Sequence, residues 1–124
     1  MATEELKPLD WVASSKKDLR AMPVAVKSIF GFALYQAQIG EKHADAKPLR
    51  GFGGAGVLEV VENHQGGTYR AVYTVKFEEA VYVLHCFQKR SKSGAATPRQ
   101  DLELIKSRLT IAREEHKKWQ EKKK

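Results

Sequence analysis

The chain carries one cysteine, Cys86, so it cannot close an internal disulfide. Cys86 lies inside the apolar run from Val81 to Phe87, and the expectation is a small buried hydrophobe in a reducing, cytoplasmic compartment. No stretch is apolar and long enough to cross a bilayer, and the opening Met1-Ala-Thr-Glu-Glu-Leu-Lys7 does not read as a signal peptide, which predicts a soluble protein with no membrane partner. The glycine-rich Phe52-Gly-Gly-Ala-Gly56 lacks the Gly-Lys-Ser/Thr ending of a Walker loop, so a nucleotide-phosphate cradle is not expected there. Internal repeats and low-complexity blocks are missing too. Most telling, no acidic residue occurs between Ala80 and Gln100.

What is there is positive charge. Lys and Arg total 22 against 15 Asp and Glu, a net +7 with a pI near 9.6. Such a balance favours an acidic partner, nucleic acid first among them. The acid-free stretch concentrates it: the β-like run Val81–Phe87 ends in Lys89, Arg90 and Lys92, and a glycine-containing loop leads to Thr97-Pro-Arg-Gln100. A strand that delivers cations at its exposed end holds a polyanion against a rigid sheet.

At 124 residues the chain reads as one domain, residues 8–119, between a flexible N-terminal tail, 1–7, and a basic C-terminal tail, 120–124. Pro8 to Ala13 is a short apolar strand. Ser15 with Asp18 three residues on predicts a helix start, and Pro23 opens a second helix. Val26, Ile29, Phe30, Ala33, Leu34 and Ala37 then recur at helical spacing up to Gly40. Residues 41–56 read as a flexible loop. Strands follow over Val57–Asn63, Thr68–Phe77 and Val81–Lys89, the first two joined by the hairpin turn His64-Gln-Gly-Gly67 and the last two through Glu78-Glu79. Thr97-Pro-Arg-Gln100 is a capping box for a terminal helix with Leu102, Ile105, Leu109, Ala112, His116 and Trp119 on one stripe.

Period-two alternation, taken with even-length turns, places Leu58, Val60, Ala71, Tyr73, Val75, Phe77, Tyr82, Leu84 and Cys86 on one sheet face, the core. The other face collects Val57, Glu59, Val61, Arg70, Val72, Thr74, Val81, Val83, His85, Phe87 and Lys89, a mixed surface suited to a partner or substrate. The fold class is therefore α+β: a small antiparallel sheet with an N-terminal helix pair and a C-terminal helix packed on one face.

Laid out in this order, Lys47-Pro-Leu-Arg-Gly51, Gly56-Val-Leu-Glu59, Thr68-Tyr-Arg-Ala-Val-Tyr73 and Tyr82 through Lys92 with Thr97-Pro98 resemble the RelE/ParE toxin superfamily, most of all the phage-derived, HigB-like branch of type II toxin–antitoxin systems. The resemblance runs from about Leu9 to Trp119. It implies a RelE-like fold, cleavage of messenger RNA on the translating ribosome, and neutralisation by a helix-turn-helix antitoxin, through which alone DNA would be involved. The implied chemistry is attack of a ribose 2′-hydroxyl on the adjacent phosphate, which uses no metal or cofactor. It requires a proton acceptor, cations for the phosphorane and a donor for the leaving 5′-oxygen.

No pair of histidines suits that work, so Lys89 and Arg70 are the expected groups for proton transfer and phosphate stabilisation, with Lys92 as a second catalytic lysine. Lys47, Arg50, His85, Arg90 and Arg99 make up the expected RNA-binding set. Each has a plainer reading. Arg70 pairs with Glu59 across the sheet, Lys89 and Lys92 are solvated, Lys47 and Arg50 are ordinary loop charges, and His85 is a packed histidine. A ParE-like inhibitor of DNA gyrase and a basic RNA-binding module without cleavage are the alternative functions.

Overall fold

The computed structural model describes residues 6–89 and 97–122. Along the chain run β1 (Leu9–Trp11), α1 (Ser15–Arg20), α2 (Val24–Gln38), β2 (Lys47–Pro48), β3 (Val57–His64), β4 (Gly67–Thr74), β5 (Val81–Lys89) and α3 (Arg99–Lys122). The strands form one sheet in the order β1-β5-β4-β3-β2. β3, β4 and β5 make the expected antiparallel meander, β1 lies parallel to β5, and β2 caps part of the outer edge of β3. The α+β class holds.

The hairpin between β3 and β4 is the tightest of the turns. His64 pairs with Gly67, leaving Gln65 and Gly66 as a two-residue loop with φ of 48° and 80°. Two positive φ values give the mirror-image turn whose twist matches that of the strands it joins. At the other end β4 stops at Thr74, three residues before the expected Phe77. The Thr74 hydroxyl donates to the Ala55 carbonyl (2.9 Å) and accepts from the Lys76 amide (3.1 Å). Those bonds take the chain out of the ladder and send Phe77 to an edge-to-face contact with Tyr82.

Two clusters of apolar side chains lie on opposite faces of the sheet. On one face Val26, Phe30, Ala33, Leu34 and Ala37 of α2, with Leu19 of α1, meet Val60, Ala71, Tyr73, Val81, Val83 and Cys86. On the other, Ile105, Leu109 and Ala112 of α3 meet Val57, Val72, Tyr82 and Leu84. The helices therefore sandwich the sheet rather than sharing one face, which corrects the sequence expectation.

A β-bulge is the reason. Ala71 pairs with Cys86 and Val72 with His85, but Tyr73 pairs with Val83, so Leu84 faces no residue of β4. One extra residue inverts the alternation of everything before it. Val81 and Val83 turn to the face of α1 and α2, while Tyr82 and Leu84 turn to α3. The rest of the mixed face, Val57, Glu59, Arg70, Val72, Thr74, His85, Phe87 and Lys89, groups as the alternation predicts.

Three further details differ from the sequence expectation. Ser15 does not cap α1: its hydroxyl donates to the Val83 carbonyl (3.1 Å), and Ser14 Oγ donates to Asp18 Oδ2 (2.7 Å). The stretch 41–56 is not simply a flexible loop. It contributes β2, and Leu49, Phe52 and Ala55 are buried in the α3-side core. At the termini, Lys7 is bonded through its backbone to Gln38 in both directions, and α3 continues to Lys122, taking in residues 120–122.

Candidate functional site

Cross-strand register places most of the suspected residues in adjacent rows on the α3-side face. Lys47 pairs with Glu59, Glu59 with Val72 and Val72 with His85, giving one row across four strands. The next row is Val61, Arg70 and Phe87, and the next ends in Lys89 opposite Thr68. α3 covers the Val72 and Thr74 end of this face, and its first turns stand beside the charged end.

Arg70 and Glu59 are joined directly. Arg70 Nη1 donates to Glu59 Oε2 (3.0 Å) and to Thr97 Oγ1 (3.0 Å), and the Thr97 hydroxyl donates in turn to the same Glu59 oxygen (2.8 Å). The three groups close a triangle that ties β3, β4 and the lead into α3 together. Arg70 is 2% exposed and Lys89 7%, so neither is a solvated surface cation. The pairing reading of Arg70 is thus realised, at the head of a basic cleft rather than on an isolated surface.

That cleft has a volume of about 440 Å³. Glu59 and Thr97 form its polar end, Pro48, Leu49 and Leu102 its apolar walls, and Lys47 and Arg50 bring charge to it. Lys47 and Arg50 are exposed, as is Arg99 in the first turn of α3. The structure thus brings Lys47 and Arg50 to a cleft whose Glu59 and Thr97 are bonded to Arg70, with Lys89 one row further along the sheet. Arg90 and Lys92 lie outside the described residues.

His85 faces α3. Its Nε2 is 2.8 Å from Asp101 Oδ1, its Nδ1 is 3.3 Å from Arg108 Nη1, and its ring stacks on Phe87 at 4.4 Å. A guanidinium can only donate, so Nδ1 is the acceptor and Nε2–H donates to Asp101. Burial holds the His85 pKa below its ordinary value of 6.5, opposed by the hydrogen bond to Asp101 and assisted by the Arg108 charge. The unfolded chain therefore binds a proton that the folded one resists, and stability falls as pH drops below about 6.5. The expected outcome is a melting temperature that declines from pH 6.5 downward and a weaker decline in His85→Gln, measured by calorimetry across that range.

Arg108 is the residue that sequence reading missed. It is buried, and it donates to the Leu84 carbonyl (2.9 Å) and to Ser14 Oγ (3.1 Å) as well as facing His85. Leu84 is the bulged residue, and its carbonyl becomes the arginine's anchor. The available signal was spacing: Arg108 falls between Ile105 and Leu109 on the apolar stripe, where an arginine survives only with acceptors waiting for it. Cys86 is buried, its thiol pushed up to about 12 by burial, so it is an inert hydrophobe as expected.

Among the described residues no group of three or more His, Cys, Asp and Glu side chains is placed to hold a metal ion, and no helix is long and apolar enough to cross a membrane.

The model of one protein family, described as Phage derived protein Gp49-like, matches residues 17–110, the span that holds most of α1, all of α2, the meander and the first half of α3. The chain belongs to that family. Among solved structures, this Gp49-like chain is similar to a mutant of the Escherichia coli toxin RelE in the free state, with a TM-score of 0.53 and 17% identity over 86% of this chain and 97% of that one. It is also similar to a chain of the RelBE2 toxin–antitoxin complex of Mycobacterium tuberculosis, with a TM-score of 0.47 and 21% identity over 68% of this chain and 99% of that one. No curated protein matches it. The fold of the Gp49-like chain is RelE-like.

Proposed function

We propose that this chain is the toxin of a type II toxin–antitoxin system, of the HigB-like branch, and that it cleaves messenger RNA on the translating ribosome. The observation that carries the reading is the gathering of Lys47, Arg70 and Lys89 at one end of a single sheet face, beside a cleft that Lys47 and Arg50 line. The RelE-like fold and the phage-derived family support it.

In the proposed reaction a base removes the proton of a ribose 2′-hydroxyl, and the oxygen attacks the neighbouring phosphorus. The bond from phosphorus to the 5′-oxygen breaks, and an acid returns a proton to that oxygen, leaving a 2′,3′-cyclic phosphate. Lys89 is assigned to proton transfer and Arg70 to the phosphorane charge. Lys92 is assigned as the second proton-transfer group and Arg90 as an RNA contact. Arg99 and Lys47 hold the strand through its phosphates. His85, locked between Asp101 and Arg108, supports the strand that carries Lys89. A helix-turn-helix antitoxin is the assigned neutralising partner.

The test is induced expression in a bacterium with 5′-end mapping of cellular messages, comparing wild type with Lys89→Met, which keeps the aliphatic stem and removes the charge. New cuts inside translated frames are expected, reduced about 100-fold or more in the variant. Growth arrest without cuts, accompanied by DNA-damage signalling, would replace this reading with gyrase inhibition. Binding of RNA without cuts would leave a basic module.

A further inference from the structure

The triangle at the head of the cleft leaves half of a carboxylate unused. Both donors, Arg70 Nη1 and Thr97 Oγ1, go to Glu59 Oε2. Oε1 accepts no hydrogen bond among the described residues, yet Glu59 lines the cleft. A carboxylate has capacity for about four hydrogen bonds, and only two are taken. The same cleft is lined by the apolar Pro48, Leu49 and Leu102 and by the exposed cations Lys47 and Arg50. An acceptor, apolar walls and cations are the three kinds of group that the parts of a nucleotide call for: a base edge with donors, a base face and a phosphate.

We propose that this cleft seats one nucleotide of single-stranded RNA and that Glu59 reads its base, favouring guanine. The inference rests on the RNA-cleaving reading for its polymer and adds to it a specificity-determining residue. The volume of about 440 Å³ lies within the usual range of small-ligand pockets, about 300–1,000 Å³, a size suited to one nucleotide. Bases of unpaired RNA are available for reading on their Watson–Crick edges. Guanine presents two adjacent donors there, N1–H and the 2-amino group. Cytosine and adenine each offer one amino group beside an acceptor nitrogen that the carboxylate repels, and uracil offers one imino N–H between two carbonyl oxygens. The buried pairing of Oε2 with Arg70 and Thr97 fixes the direction in which Oε1 points, so the preference is built into the sheet rather than into a mobile side chain.

Glu59→Gln is the informative substitution. The amide oxygen still accepts from Arg70 and Thr97, while an NH₂ group, a donor, replaces Oε1 in the cleft. Binding of four short 2′-O-methyl oligonucleotides, identical but for one central base, is followed by the methyl resonances of Leu49 and Leu102 in the intact protein. These probes cannot be cleaved, so the measurement is independent of catalysis. The wild type is expected to bind the guanine version roughly tenfold more tightly than the uracil version. Glu59→Gln is expected to bring that ratio near or below one, read well below a melting temperature that falls because the buried Arg70 charge loses its carboxylate. Leu102→Ala is expected to weaken all four versions by a similar factor.

Equal binding of the four by wild type would overturn the proposal, as would a Glu59→Gln variant that keeps the guanine preference. So would an absence of shifts at Leu49 and Leu102 at millimolar oligonucleotide. Failure of the nuclease reading looks different: no message cleavage in cells, with the base preference intact in the tube.

Discussion

Arg70→Ala is expected to destabilise the fold by about 3–5 kcal/mol, the usual cost of removing one partner from a buried ion pair. The substitution strands a Glu59 carboxylate whose side chain is only 13% exposed, and it takes away one of the two groups that anchor Thr97. Chemical denaturation should show a lower midpoint with an unchanged slope. Glu59→Ala combined with Arg70→Ala should cost less than the sum of the single changes, because neither charge is then left buried alone. A loss below about 1 kcal/mol for Arg70→Ala would mean that the triangle contributes nothing to folding. The consequence for function is practical: loss of cleavage in Arg70→Ala is ambiguous, since Thr97, just before α3, loses its arginine partner as well. Arg70→Lys, which keeps a cation against Glu59 but not the planar fork, separates the two roles.

Arg108→Met should be nearly as costly, about 2–4 kcal/mol. The thioether fills much of the volume but leaves the Leu84 carbonyl without the arginine that anchors it at the bulge, and it unties Ser14 from α3. The bulge itself is the element at risk, so β5 amides near Leu84 should lose hydrogen-exchange protection before those of β3 and β4. The same variant bears on pH dependence. Without the Arg108 charge, and with Nδ1 no longer engaged as an acceptor, His85 protonates more readily, and the decline in stability below pH 6.5 becomes shallower. It does not vanish, because burial is the larger cause of the lowered pKa. Unchanged stability in Arg108→Met would show that water replaces the guanidinium at no cost.

Much of this architecture was legible in the residues alone. Period-two runs separated by Gln65-Gly66 marked the meander, and the 3.6-residue stripes of Val26 to Ala37 and Ile105 to Ala112 marked two of the helices. These signals are local: each depends on which side chains can share a face of one element, and neighbours in sequence decide that. The gathering of Arg70, His85 and Lys89 on one face was legible for the same reason, since they lie on the strand segments that the bulge leaves in register. Lys47, read as a loop charge, joins them only through its pairing with Glu59 in β2.

What sequence could not settle depended on residues far apart in the chain. The same apolar letters in Val81 to Leu84 satisfy either face, and only the two-sided sandwich, with α3 waiting for Tyr82 and Leu84, makes the extra residue at Leu84 favourable. Arg108 is acceptable on an apolar stripe because a carbonyl 24 residues away and a serine 94 residues away meet it there. The closure of Glu59, Arg70 and Thr97 likewise needs three separate segments at hydrogen-bonding distance. Periodicity and turn chemistry therefore determined the elements and their charged end. Long-range packing, which must satisfy each buried polar group, decided the face each helix takes and the partners of the site's charges.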